Sequence, residues 1–349
     1  MPSQHRACPE VIVSVCILAK NEGKVIGNCL TQLSRQSFVS NGTYDVQIHV
    51  VANGCTDDTV GVALSSQGIF SGSSVKLHVH DLYLGGKSRS WNRAVHELAD
   101  VSTDIFVFID ADITFVDNAV VAEMLACLQA DSSLAACSGF PVKDVSTKSK
   151  KKILDRASLI VSERSRRSGL INGSLYVARA QVLRETWLPD QTPGEDGFLN
   201  AMLTTLGFTE PPSFTVVTTP ARPTHFFHSH GPLEFVTHER RMIVGTMINR
   251  WIFEHLWSLN LPSPAGPLIR HWNETDPGWV ESLVKQRIEN RNWLIPNTVL
   301  FGRFTNNVTQ PWWKRLAYIP LAAAATLLTV PPAILANKRL KEFGAATTW

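Results

Sequence analysis

Four short apolar runs, at residues 11–18, 46–51, 75–80 and 105–109, alternate along the chain with segments whose apolar residues recur every three or four positions. The runs are rich in β-branched and aromatic residues, which is typical of strands buried on both faces of a parallel sheet. The intervening spacing is that of one side of a helix. This alternation predicts an α/β fold with a doubly wound, mostly parallel sheet and helices on both faces.

The fourth run ends in two aspartates, Asp110 and Asp112. Because side chains alternate along an extended backbone, both are expected on the same side at the strand's carboxyl end. Open α/β sheets bind ligands at that end. Two carboxylates there suit Mg²⁺ or Mn²⁺, which can also hold phosphate oxygens. The alternative is that one aspartate caps the next turn while the other is only solvated.

The first three predicted strands also end in loops that carry polar side chains and glycines. These loops contain Ala19-Lys20-Asn21-Glu22, then Asn53-Gly54-Cys55-Thr56-Asp57-Asp58-Thr59, then Gly85-Gly86-Lys87. Carboxylates can bind the donors of a base and a ribose, and a lysine with a metal can hold phosphates. Taken singly, each residue is more often a cap or turn residue. Together they indicate a nucleotide diphosphate site. No G-x-x-x-x-G-K-[ST] or G-x-G-x-x-G motif occurs, which disfavours NTPase and dinucleotide functions.

These motifs and their order resemble the family 2 glycosyltransferases of the GT-A fold. The resemblance covers about residues 11–230, with Asp110-Ala111-Asp112 as the D-x-D motif and Asn92 following Gly86-Lys87. Residues 172–179, Asn-Gly-Ser-Leu-Tyr-Val-Ala-Arg, resemble the acceptor-side strand of that family. Gly194-Glu195-Asp196-Gly197 resembles its E-D motif.

The resemblance implies a GT-A, Rossmann-like fold and an inverting, metal-dependent transferase that uses a UDP- or GDP-sugar. It also implies a role for each matching residue. The implied donor-binding residues are Ala19, Asn21, Glu22, Asn53, Asp57, Lys87 and Asp110. The implied metal ligands are Asp112, Asp110 and one late histidine, His228 being the candidate. Asp196 is implied as general base, paired with Glu195, and Asn172 and Gly173 lie on the acceptor side.

Glu195 and Asp196 also have an interpretation that needs no family. They precede apolar residues at helical spacing, and acids at a helix start are often caps that complement the helix dipole. Inverting sugar transfer nevertheless needs one carboxylate to accept the proton of the attacking hydroxyl. A metal would meanwhile neutralise the charge that develops on the departing diphosphate.

Charge and histidines add two weaker features. Residues 143–167 hold nine basic residues against three acids. This indicates either a solvated helix face or a patch for anionic headgroups or a lipid-linked phosphate.

His225, His228 and His230 follow an apolar run at residues 214–217 that predicts another strand. The alternative to a metal-binding histidine among them is surface or packed imidazoles.

The chain changes character after Pro232. Seven of the ten tryptophans lie between Trp251 and Trp313, which fits either core packing or an interfacial belt. Arg250-Trp251, assigned to the acceptor side, resembles the end of the Q-x-x-R-W motif of processive synthases. Position 247 is Met rather than Gln, however, which favours the addition of one sugar at a time.

Residues 316–336 carry no charge and are flanked by basic residues. The segment is long enough to span a bilayer. Pro320, Pro331 and Pro332 are expected to kink or break a helix, so a re-entrant or in-plane hairpin is an alternative, and a buried helix pair is another. We therefore expect three regions: a catalytic domain at 11–230, a helical Trp-rich acceptor or interfacial region at 231–312, and a membrane-anchoring segment at 313–349.

Composition sets the outer limits of the interpretation. With 18% charged and 44% hydrophobic residues, the chain is neither disordered nor wholly embedded in a membrane, and a net charge of +3 does not argue for nucleic acid. The six cysteines lack C-x-x-C spacing, which favours a reducing compartment over a zinc site or a disulfide framework. No secretory signal is recognised near Met1, so the expected location is the cytoplasmic face of the cell membrane.

The sequence thus predicts a membrane-associated glycosyltransferase of polysaccharide or cell-envelope synthesis, acting on a lipid-linked or saccharide acceptor. Two alternatives stay open. A sugar-phosphate nucleotidyltransferase would require a Gly-rich, Arg-containing loop where Ala19-Lys20-Asn21-Glu22 stands. A non-catalytic membrane-attached nucleotide-sugar binding protein would not require the intact Asp110, Asp112 and Asp196.

Overall fold

The computed structural model describes residues 11–147, 169–227, 232–301 and 312–343. The strands are β1 (Ile12–Ala19), β2 (Asp45–Asn53), β3 (Lys76–Leu82), β4 (Ile105–Ile109), β5 (Thr114–Phe115), β6 (Ala136–Ser138), β7 (Pro141–Lys143), β8 (Leu175–Arg179), β9 (Val217–Thr218) and β10 (His225–Phe227). The α-helices are α1 (Ile26–Ser34), α2 (Ser37–Ser40), α3 (Thr59–Ser65), α4 (Lys87–Arg93), α5 (Val120–Ala130), α6 (Ala180–Arg184), α7 (Glu195–Thr204), α8 (Pro232–Ser258), α9 (Gly266–Thr275), α10 (Trp279–Ile288), α11 (Asn297–Leu300) and α12 (Trp312–Lys341).

A seven-stranded sheet in the order β3-β2-β1-β4-β8-β6-β9 forms the centre of the molecule. The four strands predicted from the apolar runs are its parallel members β1 to β4. β8 runs antiparallel to both β4 and β6, so the sheet is mostly rather than wholly parallel. A second, three-stranded sheet in the order β5-β10-β7 lies beside it. The predicted α/β fold with a mostly parallel sheet is confirmed.

Side-chain alternation along β1 explains why both faces of the sheet are covered. Val13, Val15 and Ile17 pack in one core with α1 and α5. Cys16 and Leu18 pack in the other core, which includes Trp91 of α4 and residues of α7 and α8. A strand buried on both faces must be apolar throughout, which is the pattern that the sequence displays.

The order of the strands creates a crevice at their carboxyl ends. From β1 the chain proceeds outward to β2 and β3, then returns to place β4 on the opposite side of β1. The loops after β1 and β4 therefore diverge at a switch point, where α/β sheets bind ligands. Asp110 and the loop beginning at Lys20 stand at this point.

Two local predictions differ from the structure. Of the predicted strand at 214–217, only Val217 belongs to a strand, because β6 pairs with just Val217 and Thr218. Phe214–Val216 instead forms a 3-10 turn. The helix predicted after Lys87 does form, but it passes from α4 into a short π-helix at Ala94–Leu98.

The carboxyl-terminal helices continue the core on the α4 side of the sheet, since Ile248 of α8, Val280 of α10 and Leu340 of α12 share one apolar cluster. α12 is a single helix with Pro320, Pro331 and Pro332 inside it, so the re-entrant hairpin considered above is wrong. Each proline removes a helical hydrogen bond, but packing of α12 against α8 holds the helix in one piece. Within the described ranges, none of the helices combines the length and apolarity needed to cross a membrane.

Candidate active site

Lys87 is the point at which three elements of the crevice meet. It is the first residue of α4, and its Nζ lies 2.9 Å from Asp110 Oδ1 and 2.8 Å from Glu195 Oε1. Asp110 directly follows β4, and Glu195 begins α7. Burial alone would lower the pKa of Lys87, but the two carboxylates raise it well above its ordinary value. The lysine is therefore a permanent cation between the D-x-D end of β4 and the acidic start of α7.

A recess opens beside this ion-paired centre. Its floor is aromatic, because Phe108 stacks on both Trp91 and Tyr176, with ring centroids 5.8 Å and 5.0 Å apart. Trp91 Nε1 donates to Tyr176 Oη at 2.7 Å, which satisfies both buried polar groups. The recess is lined by Leu18, Lys87, Trp91, Phe108, Ile109, Asp110, Gly173, Tyr176, Glu195, Asp196 and Leu199. Asp110, Glu195 and Asp196 thus share one cavity, whereas Asp112 does not line it.

Asp196 lies in the first turn of α7 and lines the same recess. A Cβ atom on Gly173 would lie only 3.1 Å from the Cβ of Asp196, so the glycine allows the loop before β8 to approach the acidic pair closely. The Gly197 N–H donates to Asp196 Oδ1 at 2.7 Å. Burial and the charge of Glu195 nevertheless raise the pKa of Asp196 to about 6. A carboxylate with that pKa is ionised at neutral pH and is well matched to proton transfer there.

A group of carboxylates surrounds Glu22 at the carboxyl ends of β1, β2 and β4. Burial, followed by the charges of Asp112, Asp110 and Asp57, raises the pKa of Glu22 to about 7. The pKa of Asp110 is also raised by burial, although Lys87 opposes the shift. Even with the Lys20 ammonium beside Gly85, the carboxylates of Glu22, Asp57, Asp110 and Asp112 outnumber the ammonium groups, which leaves excess negative charge at this edge of the sheet.

This excess charge fits a divalent cation, which oxygen ligands would bind. Among the described residues, no three or more His, Cys, Asp or Glu side chains are arranged to hold a metal by themselves. Mg²⁺ characteristically uses one or two carboxylates and completes its shell with waters and substrate phosphates. Asp112 is exposed and Asp110 half-buried, so a Mg²⁺-type site that is completed by a bound diphosphate suits this pair.

The loops after β1 and β2 are tied to each other by hydrogen bonds. Asn21 has a φ of 58°, and its Oδ1 accepts from the Thr56 N–H at 2.8 Å. The Glu22 N–H donates to Thr59 Oγ1 at 2.8 Å, and the Gly23 N–H donates to Asp57 Oδ2 at 3.0 Å. The predicted donor-binding side chains are therefore brought together, and Asn21 and Asp57 also serve to shape the loops.

The loop after β3 is held against the same pair of loops. Asn53 Oδ1 accepts from the Gly86 N–H at 2.6 Å. Gly54 has a φ of 60°, and a Cβ atom there would lie 2.8 Å from the Gly85 nitrogen. Ala19, the last residue of β1, is buried. These residues position backbone around the crevice, and their predicted contact with a donor stays a prediction.

Of His225, His228 and His230, only His225 lies in the described ranges. Its Nε2 is 2.7 Å from Ser174 Oγ and its Nδ1 is 2.8 Å from Thr224 Oγ1. Burial lowers its pKa to about 3, so it is a neutral, packed imidazole whose two nitrogens are both engaged. His228 and His230 fall outside the described residues, as does most of the basic segment at 143–167.

The residues assigned to the acceptor side divide into two groups. Gly173 lines the recess, while Asn172 Oδ1 accepts from the Ser174 N–H at 3.0 Å and shapes the preceding turn. Trp251 is only 4% exposed and packs in the core, and Arg250 forms a surface ion pair with Glu254. The core-packing explanation therefore accounts for Trp251, and neither residue lines the recess.

Two asparagines act as braces behind the site. Asn92 donates to the Leu188 carbonyl at 2.8 Å and accepts from the Leu188 N–H at 2.9 Å, so it is a buried structural residue. Asn249, which sequence reasoning missed, donates to the Gly194 carbonyl at 2.7 Å and accepts from Thr192 Oγ1 at 2.6 Å. It holds the residue that caps α7. The sequence feature that could have indicated Asn249 is a polar residue one helical turn after Gly245 in a mostly apolar stretch of α8.

Comparisons with known proteins agree with this geometry. The model of glycosyl transferase family 2 matches residues 14–190. Searching curated proteins gave no match. The mannosyltransferase PcManGT from Pyrobaculum calidifontis, solved in complex with GDP-Man and Mn²⁺, is 16% identical, with a TM-score of 0.53 over 96% of this chain and 88% of that one. This likeness shows that the two proteins share a GT-A-like fold.

A second solved structure is less similar. Glucosyl-3-phosphoglycerate synthase from Mycobacterium tuberculosis, in complex with Mn²⁺, UDP-glucose and phosphoglyceric acid, is 17% identical, with a TM-score of 0.48 over 69% of this chain and 80% of that one.

Proposed function

Because the chain belongs to glycosyl transferase family 2 and is a glycosyltransferase, we propose that it transfers a sugar from a nucleotide-diphosphate sugar to an acceptor hydroxyl with inversion. The observation that carries this proposal is the shared ammonium of Lys87, which lies within 3 Å of Asp110 on the donor side and of Glu195 in the acidic pair. Asp110 and Asp196 line the same recess, which at about 10 Å³ is too small to enclose a sugar, so the proposed position of the sugar is at its mouth.

The proposed reaction is one in-line displacement. Asp196 accepts the proton of the acceptor hydroxyl while the hydroxyl oxygen forms a bond to the anomeric carbon. The bond from that carbon to the diphosphate oxygen breaks on the opposite face, and the nucleoside diphosphate leaves with the bonding electrons. No covalent sugar intermediate forms. The pKa of about 6 supports this role, because Asp196 is then ionised at neutral pH and still basic enough to take a proton.

Asp112, with Asp110 beside it, is the proposed pair that holds a divalent cation, Mg²⁺ or Mn²⁺. When bound, such an ion stabilises the negative charge on the leaving diphosphate. Burial, together with the charges of Asp112, Asp110 and Asp57, raises the pKa of Glu22 to about 7. The part due to these charges supports the assignment, since a cation would relieve their repulsion. His228 is retained only as a proposed further ligand.

A UDP- or GDP-sugar is the proposed donor. Ala19, Asn21, Glu22, Asn53 and Asp57 form the proposed cradle for base and ribose, and their loops are held together by hydrogen bonds. PcManGT, which has a similar fold, was solved with GDP-Man and Mn²⁺, and the same class of donor and metal is proposed for this chain.

The proposed acceptor is a lipid-linked or saccharide hydroxyl at the cytoplasmic face of a membrane, as in polysaccharide or cell-envelope synthesis. The charge-free segment at 316–336 and its basic flanks support this location. The nucleotidyltransferase alternative loses its support, because the matching family is one of glycosyltransferases. The same family membership argues against the non-catalytic alternative, which the product assay below tests.

Donor binding tests the metal assignment. Calorimetric titration of a panel of UDP- and GDP-sugars, with and without Mn²⁺, should identify one donor whose affinity depends on the ion. Asp112→Ala should abolish that metal-dependent affinity, whereas Asp131→Asn is the matched control. Asp131 is exposed, and its carboxylate accepts hydrogen bonds from Ser133 in the local turn. Full donor affinity in Asp112→Ala would remove the metal assignment.

Product formation tests the general base. With the identified donor, Asp196→Asn should keep the affinity for the donor but lose transfer by about 10²-fold or more. Normal turnover in this variant would make Asp196 a helix-capping residue only. A wild-type protein that binds the donor but transfers sugar to none of a set of lipid-linked and saccharide acceptors would support the non-catalytic alternative.

A further inference from the structure

α12 presents two unlike faces along its described length. The buried face consists mainly of small residues, including Ala322, Ala333 and Ala336, which pack in the core of the molecule. The outward face carries the large apolar side chains. Those exposed on it are Ile319, Leu327, Leu328, Val330, Ile334 and Leu335. A surface helix of a water-soluble domain ordinarily has the opposite arrangement, with large apolar residues inside and polar residues outside.

Neighbouring helices of the same molecule follow the ordinary arrangement. On α9 the exposed residues Arg270 and Glu274 form an ion pair one turn apart, and on α10 Lys285 pairs with Glu281 in the same way. Across the outward face of α12, by contrast, Leu327 is 72% exposed, Leu328 62% and Ile334 55%. The apolar face is thus a property of α12 and not of the whole surface.

The apolar face is continuous and ends in positive charge. From Ile319 to Leu335 it extends over about 24 Å at 1.5 Å per residue. Lys338 and Lys341 follow it and are exposed. Lys338 lies 3.9 Å from Glu342 in a surface ion pair, so the end of the helix keeps a net positive charge with Lys341 and Arg339. Trp293 flanks the same end of the helix, because the neighbouring Leu294 N–H donates to Asn337 Oδ1 at 2.8 Å. The Trp293 side chain is 46% exposed. A hydrophobic strip next to an exposed indole and two lysines matches the interfacial zone of an anionic bilayer.

We propose that the outward face of α12 lies in the plane of an anionic lipid surface, inserted among headgroups and upper acyl chains, with Lys338 and Lys341 on the lipid phosphates. The inner face of α12 packs against α8, so only one side of the helix can meet lipid, as in a monotopic protein. This inference deepens the membrane location proposed above and does not depend on the identity of the donor or the roles of the acidic residues.

Vesicle sedimentation of the full chain tests the proposal. Wild-type protein should sediment with vesicles of phosphatidylcholine containing about 30% phosphatidylglycerol, and more weakly with phosphatidylcholine alone. The triple variant Leu327→Gln, Leu328→Gln, Ile334→Gln should reduce partitioning into both vesicles by about tenfold or more. Lys338→Gln with Lys341→Gln should reduce it only for the anionic vesicles, by about tenfold.

Matched controls separate a lost interface from a damaged protein. Leu64→Gln and Val101→Gln replace exposed apolar residues on other parts of the surface and should leave partitioning unchanged. All variants should keep the wild-type melting temperature and donor affinity. If wild-type protein binds the donor but neither vesicle, the interface is refuted while the transferase proposal stands. If wild-type protein binds vesicles but none of the donors, the transferase proposal is refuted while the lipid interface stands.

A second copy of the chain is the other possible occupant of this face. Sedimentation velocity without vesicles should give a monomer for the wild type and the triple variant alike. A wild-type dimer that the triple variant converts to monomers, together with vesicle binding that the variant does not change, would overturn the proposal.

Discussion

At the scale of single residues, the site depends on how a few charges share a poorly solvated recess. Lys87 contacts Asp110 and Glu195, and its ammonium compensates two carboxylates that would otherwise repel each other. Removing one partner of a partly buried ion pair leaves a charge that only water can compensate, and this costs more than the pair itself contributes. Lys87 is therefore as much a structural requirement of the crevice as a candidate ligand for the donor.

Lys87→Met is expected to destabilise the fold and to weaken donor binding together. The variant keeps the length of the aliphatic chain but leaves Asp110 and Glu195 without a counter-charge. Because Lys87 is one-third exposed, we expect a loss of only about 1–2 kcal/mol in the free energy of unfolding. Urea denaturation at pH 7.5 measures it, with Lys76→Met at the exposed start of β3 as control. Unchanged stability in Lys87→Met would mean that water already compensates the two acids.

Asp196 is expected to set the acid side of the pH profile. Burial and Glu195 raise its pKa to about 6, so the fraction of ionised base falls as the pH falls through 6. We therefore expect kcat/KM to decrease about tenfold per pH unit below pH 6 and to level off above it. Initial rates between pH 4.5 and 8 measure this. The residual activity of Asp196→Asn should lack that decrease, and a variant that keeps it would assign the titration to another group.

At the scale of secondary-structure elements, the acidic pair is placed by a helix that carries none of the proposed chemistry. Asn249 of α8 holds the Gly194 carbonyl and the Thr192 hydroxyl, just before α7 begins. Gly194 lets the two segments approach, since a Cβ atom there would lie 2.8 Å from Asn249 Nδ2. The position of Asp196 therefore depends on packing between α7 and α8.

Asn249→Ala is expected to lower kcat while leaving donor affinity unchanged. It removes both hydrogen bonds: the buried Thr192 hydroxyl loses its acceptor, and the Gly194 carbonyl keeps only the Phe198 N–H. We expect a cost of about 1–3 kcal/mol. A loosened start of α7 should misplace Asp196 relative to the acceptor hydroxyl. Steady-state kinetics and calorimetry measure the two effects, and Thr192→Val, which removes only one of the bonds, should have a smaller effect. Wild-type kcat in Asn249→Ala would show that α7 is fixed by other contacts.

These elements also define what the sequence could predict. The strands β1 to β4 were predictable because a strand buried on both faces must be apolar throughout. The crevice was predictable because polar residues follow each of these strands, and open α/β sheets bind ligands at the carboxyl ends of their strands. Asn249 was not, because its partners lie about 55 residues away and no local pattern encodes that contact. The burial of Trp251 was not predictable either, because a motif resemblance does not distinguish a buried indole from an exposed one.

At the scale of the whole molecule, one apolar cluster connects the sheet to the carboxyl-terminal helices. Phe108 of β4, Phe198 of α7, Ile252 of α8 and Leu340 of α12 all belong to it. The uncharged segment at 316–336 was recognisable from sequence. Which side of its helix is buried was not, because both sides are uncharged and no polar face marks the side that meets water. The site and the proposed lipid face are consequently built on a common core, with α8 between them.

Deletion of residues 312–349 is expected to destabilise the whole protein and not merely to release it from a membrane. The inner face of α12, with Ala333, Ala336 and Leu340, covers part of the core beside α8, so the deletion exposes apolar side chains to water. Losing several such contacts should cost several kcal/mol, since each large buried side chain contributes about 1.5–3 kcal/mol. Thermal unfolding of the truncated chain should therefore begin well below that of the full chain, with aggregation. The outward triple variant at Leu327, Leu328 and Ile334 is the matched control, because it changes only exposed positions and should unfold at the wild-type temperature. A truncated chain that unfolds like the full one would mean that α12 is a separable appendage, and that the core closes without it.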